Sequence, residues 1–478
     1  MFSITAPIIV LYARGYRFSL KQGVFVYSGT IIFKSNPATV NMELNNQLIE
    51  SKRLNRINNS FNISGLIPDD YDIRISADGF QTWSKKADIH SGLASEFWNV
   101  ILARNSYEKT DNQAFGAGKF FISPKNNFIA YVTDSETGIS VNLLNIRNET
   151  TEKTFNFAGS KFIDDFKKEN IEWSPEESFL SLPVKSNSET AENAADYFIV
   201  DLDSDSYFNL NSFLKRDGIA NVRWDPKEKG SLFFLSQNNL YRVNITDQNS
   251  ISEIASDVTS YDLSESGVYY SQLPNNLVYK RSLDGQSDPV QITNEFFNDD
   301  NQSIEKIIIY DDSRMALMSE NKRLYIFNKG EQGTYFKKLG DHVEGVQFSN
   351  DGKKLLFWCP DRISVYFTRN WNVQPIRSED ETQMITRYSE PISNIQWFND
   401  YEHIIFSTGR WVKIIELDPR DHRNSMDLTS TTLANPHVIY NYSLEKLYFN
   451  DIKDQSTSIY SIIFPESTSL FGIAGTGG

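Results

Sequence analysis

The sequence predicts an all-β protein built mostly from repeated units, and three observations predict it. A short phrase recurs eight times between Phe121 and Tyr448: an apolar or aromatic anchor, a turn rich in Ser, Pro, Asp, Asn and Gly, then a hydrophobic strand. The anchors Ile122, Trp173, Trp224, Leu263, Ile309, Phe348, Trp397 and Tyr440 lie 51, 51, 39, 46, 39, 49 and 43 residues apart, close to the length of a four-stranded propeller blade, about 40–50 residues. Aromatic residues make up 13% of the chain, which suits the pleated surface of sheets. One such unit cannot bury its own apolar face and must stack on its neighbours. The expected ring is an eight-bladed β-propeller, with seven blades as the alternative.

Charge divides the chain near Ala103. Residues 1–103 carry 10 Lys/Arg and 8 Asp/Glu, whereas the remainder carries 37 basic and 54 acidic residues. An acidic surface does not track a phosphate backbone, so no nucleic-acid partner is expected. The reading in order is an apolar segment at 1–23, a small β-sandwich at 24–103, the propeller at 104–470 and a small-residue tail at 471–478.

Phe2 to Ala13 (FSITAPIIVLYA) is almost wholly apolar and ends in Arg14-Gly15-Tyr16-Arg17. Twelve helical residues cover roughly 18 Å of a hydrocarbon core of about 30 Å. Basic and aromatic residues at its end suit a membrane interface. Three readings stand: a membrane helix whose first residues lie upstream, a short interfacial anchor, or a buried strand of the first domain.

The 24–103 segment reads as antiparallel strands. Val40, Met42 and Leu44 alternate onto one face, and Asn45-Asn46 makes a hairpin-type turn because Asn tolerates positive φ. Tyr71, Ile73 and Ile75 alternate again, and Trp98, Val100 and Leu102 form a closing strand. Ser35-Asn36-Pro37-Ala38, the run Leu66-Ile67-Pro68-Asp69-Asp70-Tyr71-Asp72-Ile73-Arg74-Ile75 and Ala77-Asp78-Gly79-Phe80 resemble the marks of the PEGA domain. Asp69 or Asp70 stands where that family usually has Gly. The resemblance covers about 75 residues and implies a bacterial, surface-associated, non-catalytic module.

In the repeats, Trp173-Ser174-Pro175 and Phe348-Ser349-Asn350-Asp351-Gly352 resemble the WD-like repeats of TolB-type bacterial propellers. The unit around Phe348 is read as strands at Val346–Phe348, Lys354–Cys359 and Ile363–Phe367, with Val373–Ile376 as the outer strand. Lys185–Ala195, Gln286–Gln302 and Arg377–Glu390 read as protruding polar linkers. Ring closure requires the first and last strands to pair, and a strand near Tyr107–Lys109 is expected to complete the sheet ending at Ser458–Phe464.

The chemistry is sparse. The five histidines are scattered, without a His-x-x-x-His pair, so no metal site is expected. Asp201-Leu202-Asp203-Ser204-Asp205 opens like a calcium loop, but Ser206 and Ser212 stand where Gly and Glu are needed; it reads as a strand end and turn. Cys359 is expected to be a buried strand thiol. No Gly-x-Ser-x-Gly elbow or phosphate loop is present, and no cofactor is expected. Trp371, in a polar linker, is the one candidate binding residue; it either contacts a partner or sugar, or packs over its own blade.

These observations lead to a non-catalytic scaffold whose propeller presents loops to a protein or an envelope polysaccharide. The resemblances add a bacterial, extracytoplasmic setting, with membrane attachment through the N-terminal segment as a single pass. The alternative is a propeller glycosidase or lyase with paired carboxylates facing each other in the central channel.

Overall fold

The computed structural model describes residues 2–49, 55–57, 60–163, 171–186, 195–294 and 302–465. The 471–478 tail and parts of two linkers, 185–195 and 286–302, lie outside the described residues. Strands take up 58% of the chain and helix 3%.

Helix α1 (Phe2–Ala13) comes first, so the buried-strand reading of this segment does not hold. Among the described residues, no helix is long and apolar enough to cross a membrane. A hairpin follows, with Tyr16–Ser19 antiparallel to Val24–Tyr27. The Arg17 guanidinium donates to the carbonyl of Tyr12, in the last turn of the helix, and to that of Tyr16, in the hairpin, at 3.1 and 2.8 Å, which ties the helix end to the hairpin.

The next segment forms two four-stranded sheets. One orders Ala94–Ile101, Gly29–Asn36, Ser60–Leu66 and Asn55–Ile57; the other orders Gln47–Leu48, Asn41–Leu44, Asp70–Ser76 and Trp83–Asp88. Alternation sets their inner faces, with Ile31, Phe33, Met42, Leu44, Ile73, Ile75 and Trp83 buried. Asn45 and Asn46 both take positive φ in the tight turn between Leu44 and Gln47. Two expectations need correction. Ala94–Ile101 pairs parallel with Gly29–Asn36, so the segment is not wholly antiparallel. A bulge between Phe97 and Val100 shifts the register, so Phe97, Val100, Ile101 and Leu102 are buried while Trp98 is only half-buried.

From residue 110 onward the described residues form eight sheets, seven of four strands and one whose innermost strand is in two pieces. We number them 1 to 8 by their inner strands: Phe120–Ile122; Ser160–Phe162 with Glu172–Trp173; Ile219–Trp224; Val258–Ser264; Ile304–Asp311; Gly345–Phe348; Ile392–Trp397; and Val438–Asn441. Each anchor read from the sequence sits on one of these inner strands. The turn phrase has a local cause. Ser123, Ser174 and Ser349 follow anchors, and each hydroxyl accepts the amide that opens the second strand, Phe128, Phe179 and Lys354, at 2.9, 3.0 and 3.0 Å. Gly352 is required where it stands: φ is +63°, and a Cβ there would meet the Tyr310 ring of sheet 5 at 2.3 Å.

Eight apolar cores alternate with the eight sheets. Ile171, Trp173 and Leu180 pack against Val141 and Phe155 between sheets 2 and 1, and the series continues around the ring. The last core joins Tyr448 and Ile459 of sheet 8 to Phe120, Ile129 and Tyr131 of sheet 1. Thr110–Asp111 supplies the outer strand of sheet 8, pairing with Ser461 and Tyr460, just beyond the predicted Tyr107–Lys109. In sheet 6 the fourth strand is Thr382–Arg387, not Val373–Ile376. Pro375 lacks an amide for a ladder, and 373–376 lies within a loop closed by a bridge between Trp371 and Arg377.

Trp224 stacks on Phe179 of sheet 2 at 5.4 Å and is 4% exposed. Trp224→Ala is expected to lower stability by about 3–5 kcal/mol in urea unfolding; a loss below about 1 kcal/mol would show that it does not hold two sheets together.

Candidate functional site

In an antiparallel meander, the first-to-second and third-to-fourth connections lie on one face of the ring. The second-to-third and sheet-to-sheet connections lie on the other. We call these the back and front faces. On the front face, a cavity of about 600 Å³ opens among sheets 2 to 5. Its wall includes Glu172, Asn221, Arg223, Thr259, Glu305 and Glu320.

The residue preceding each anchor is the key to this wall. Glu172 precedes Trp173, Arg223 precedes Trp224, and Asp262 precedes Leu263. Arg223 bridges the two carboxylates, with Nε 3.0 Å from Glu172 and Nη1 3.2 Å from Asp262. Burial pushes the Glu172 carboxyl up, against the pull of Arg223. Glu172 first, and then Asp262, hold the Arg223 guanidinium raised and protonated. The carboxylates also accept main-chain donors from the next sheet: Glu172 from the Trp224 amide at 3.4 Å, Asp262 from the Ile309 amide at 2.9 Å. Gln347 and Gln396 do the same for Trp397 and Tyr440 at 3.3 and 2.7 Å. The indoles of Trp173, Trp224 and Trp397 donate to the inner strand of the preceding sheet, at Phe121, Glu172 and Gln347. These side chains stitch sheet to sheet, and the channel carboxylates Glu172 and Asp262 are engaged in that work around one guanidinium.

The back face carries a second constellation, where the two-sheet module docks. Lys85 Nζ is 2.7 Å from Glu416 of sheet 7, and both side chains are buried. Glu416 also accepts the Trp83 indole at 2.9 Å and the Asn424 amide at 2.7 Å. Gln81 exchanges hydrogen bonds with Asp427, and Gln374 does so with the Ala94–Glu96 strand. Arg420 reaches the Glu96 carbonyl at 2.7 Å and lies 4.1 Å over the Phe97 ring. The partners on the ring are the third-to-fourth connections of sheets 6 and 7, Glu416 at the end of the third strand of sheet 7, and the fourth strand of sheet 7. The module is therefore joined to the ring through a buried polar seam.

Trp371 lies beside this seam. It is half-buried, with its ring 4.2 Å from the Lys354 ammonium. Lys354 is buried and paired with Glu402, which Arg377 also meets at 3.0 Å. Desolvation lowers Lys354, and Glu402 counters it. The aspartates at 201–205 form a strand end and turn: Asp201 accepts the Asp203 and Ser204 amides, and Asp203 and Asp205 pair with Lys229 and Lys153. Among the described residues, no group of three His, Cys, Asp or Glu could hold a metal ion. Cys359 is buried, and burial raises its thiol. The Glu172–Arg223–Asp262 bridge was not read from the sequence, although its signal was present: each member stands one residue before an anchor. The seam had no local signal.

Two expectations follow from these charges. Lys85→Met strands the buried Glu416, and is expected to cost about 3–5 kcal/mol in denaturant unfolding. Lys86→Ala, which removes an exposed partner of Asp70, should cost less than about 1 kcal/mol. Equal losses would show that the seam is not a buried ion pair. His403 gives a pH dependence. Burial alone would lower it, but Asp400 at 2.7 Å, then Glu416 and Glu402, raise it. A raised histidine contributes its full stability below its unfolded value near 6.5 and loses it as pH climbs through the folded value. The melting temperature of the wild type should therefore fall over that rise, and His403→Asn should lack that segment of the curve.

No family model matches the chain, and no curated protein matches it. Among solved structures it is similar to the Dos1 propeller, with 12% identity over 74% of this chain and 95% of that one and a TM-score of 0.47. It is similar to Sqt1 of Saccharomyces cerevisiae, with 10% identity, 75% and 99% coverage and a TM-score of 0.46. It is also similar to dipeptidyl peptidase 4 of Porphyromonas gingivalis, with 9% identity, 71% and 56% coverage and a TM-score of 0.46. The ring described here rests on its own connectivity and cores: the chain is all-β, and the structures similar to it include propeller domains.

Proposed function

We propose that this protein is a non-catalytic scaffold of the bacterial cell envelope: an eight-bladed propeller held to a membrane through a PEGA-like module. The observation that carries the reading is the buried seam between module and ring. It fixes the orientation of the ring relative to the module and leaves the front face directed away from it. A rigid ring displays many loops while its strands stay paired, which suits a protein partner better than a reaction. The eight sheets and the eight cores between them support the blade count. The Asn36-Pro37 and Asp69-Asp70 segments, which lie at strand ends as the resemblance implies, support the PEGA-like assignment.

Membrane attachment is supported by α1 and the hairpin. Ile9 is 66% and Leu20 88% exposed, with Val10, Tyr12, Val24 and Tyr27 also exposed. Apolar area of this kind calls for a cover, and Arg14, Arg17 and Lys21 suit anionic headgroups beside it. In this reading Trp371 serves the ring, shielding Lys354, and partners meet the front face.

The full chain is expected to float with liposomes containing anionic lipid, and Ile9→Asp with Val10→Asp to abolish flotation. A photo-crosslinking residue at Thr137, on the front face, should capture protein in cells, whereas one at Asn148, on the back face, should capture little. Wild-type chain remaining at the bottom of the gradient would sink the tether. Equal capture at both positions would sink the assignment of faces.

A further inference from the structure

The join between sheets 6 and 7 holds a guanidinium that the protein answers only in part. Arg377 is 2% exposed, although it lies in the connection between the third and fourth strands of sheet 6. Reciprocal backbone hydrogen bonds with Trp371, at 2.8 and 3.0 Å, fix it there. Its Nη1 donates to both oxygens of Glu402, at 3.3 and 3.0 Å. Its Nε and Nη2 are shut off from solvent and have no hydrogen-bond partner. These two nitrogens form one edge of the planar fork and carry most of its N–H groups. The Phe367 ring, 5.1 Å from the guanidinium carbon, offers a π face but no lone pair. A buried polar group left in this way calls for an explanation, such as a bound ion.

The surrounding charges point to the sign of that ion. Glu402 also takes the Lys354 ammonium, so two buried cations share one carboxylate. The other close partners of Lys354 are the Tyr401 carbonyl at 2.7 Å and the Trp371 ring at 4.2 Å, and neither carries a charge. Asp351 acts on Lys354 only from an exposed turn. The neighbouring carboxylates are committed to other cations: Asp400 to His403, Glu416 to Lys85 and Asp418 to Arg420. A third cation, Arg423, donates to two neutral acceptors, the Leu417 carbonyl at 3.3 Å and Gln383 Oε1 at 3.1 Å. Glu381 lies one side chain further out, accepting from Gln383 and from the Ser378 amide. Burial first, and then the Arg377 charge, hold Arg423 below its ordinary value, so the two guanidiniums feel one another. A buried cation without its own counter-charge is costly. Water would answer the N–H groups but not the charge, whereas an anion answers both.

We propose that the Nε–Nη2 edge of Arg377, with the Arg423 charge nearby, binds a small monovalent anion of about the size of chloride at the back-face join of sheets 6 and 7. Gln374, in the same loop as Arg377, exchanges hydrogen bonds with the Ala94–Glu96 strand. The bound anion thereby steadies the loop on which the module docks. The site does not depend on what the front face binds.

The test holds the full chain in sodium gluconate, whose anion is too large for the site, and exchanges in sodium chloride at constant ionic strength. The melting temperature is expected to rise with chloride and then follow the logarithm of its concentration, because a ligand bound only by the folded chain stabilises it. Arg377→Gln, which leaves Glu402 paired with Lys354, should abolish the rise. Arg387→Gln, which removes an exposed arginine of sheet 6, should keep it. Crystals of the wild type soaked in sodium bromide should show an anomalous peak at hydrogen-bonding distance from Arg377 Nε and Nη2. Should Arg377→Gln fail to fold, Arg423→Gln serves, and should weaken the apparent chloride affinity at least about threefold. Density at Arg377 without an anomalous signal, which is water only, would overturn the site. So would a bromide peak without a chloride response in solution, which is an adventitious ion only, an equal response in Arg377→Gln, or unchanged affinity in Arg423→Gln.

Discussion

The structure depends on one constraint: the last sheet of the ring cannot be completed by the last part of the ring's own repeat. Val438–Asn441, Lys446–Lys453 and Ser456–Ile463 leave an open outer edge, and Thr110–Asp111 closes it. The other sheet-to-sheet cores join sheets that are consecutive in sequence, whereas the core of Phe120, Tyr131, Tyr448 and Ile459 joins the first sheet to the last. His437 adds a ring nitrogen 2.9 Å from the Phe120 carbonyl, and Asn441 meets Asn126. Because each sheet lends its apolar face to two cores, losing the closing strand exposes more than one edge.

The module is tied to that same closure. The chain leaves the module at Ala103 and reaches the closing strand within a few residues. Along the way Tyr107 packs edge-on against Phe464 at 6.0 Å and its hydroxyl accepts the Arg104 amide. Burial pushes the Tyr107 hydroxyl up to about 12, so it stays protonated. The module core and the core between sheets 7 and 8 are continuous. Docking the module and closing the ring therefore stabilise one another, and the seam charges from Lys85 to Glu416 make the docking geometry specific as well as apolar.

The inner strands were legible because their pattern is local. An anchor, a capping Ser and a hydrophobic run occupy about ten residues, and all eight anchors fall on inner strands. Outer strands were less legible because one of their edges is solvated and their alternation is weak: Thr382–Arg387 buries only Ile385, and its charged flanks read as a linker. Phe97 to Val100 defeated the period-two reading because a bulge shifts its phase. The seam and the Glu172–Arg223–Asp262 bridge were hidden for another reason. A charged residue looks solvated in sequence until its partner, on another sheet, is known.

Irregularity within the ring is unevenly placed. Sheet 7 also bulges, between Ser393 and Gln396, and Asn394 there has φ +52°. Its side chain is absorbed by the ring: the amide donates to the Pro436 carbonyl at 2.7 Å and to Ser407, and its oxygen accepts the Val438 amide at 3.1 Å. That bulge is a fastener between sheets 7 and 8. The bulges of sheets 3, 4 and 5 are adjacent, share one level and turn their extra residues to a common cavity, and the Thr259 hydroxyl has no partner.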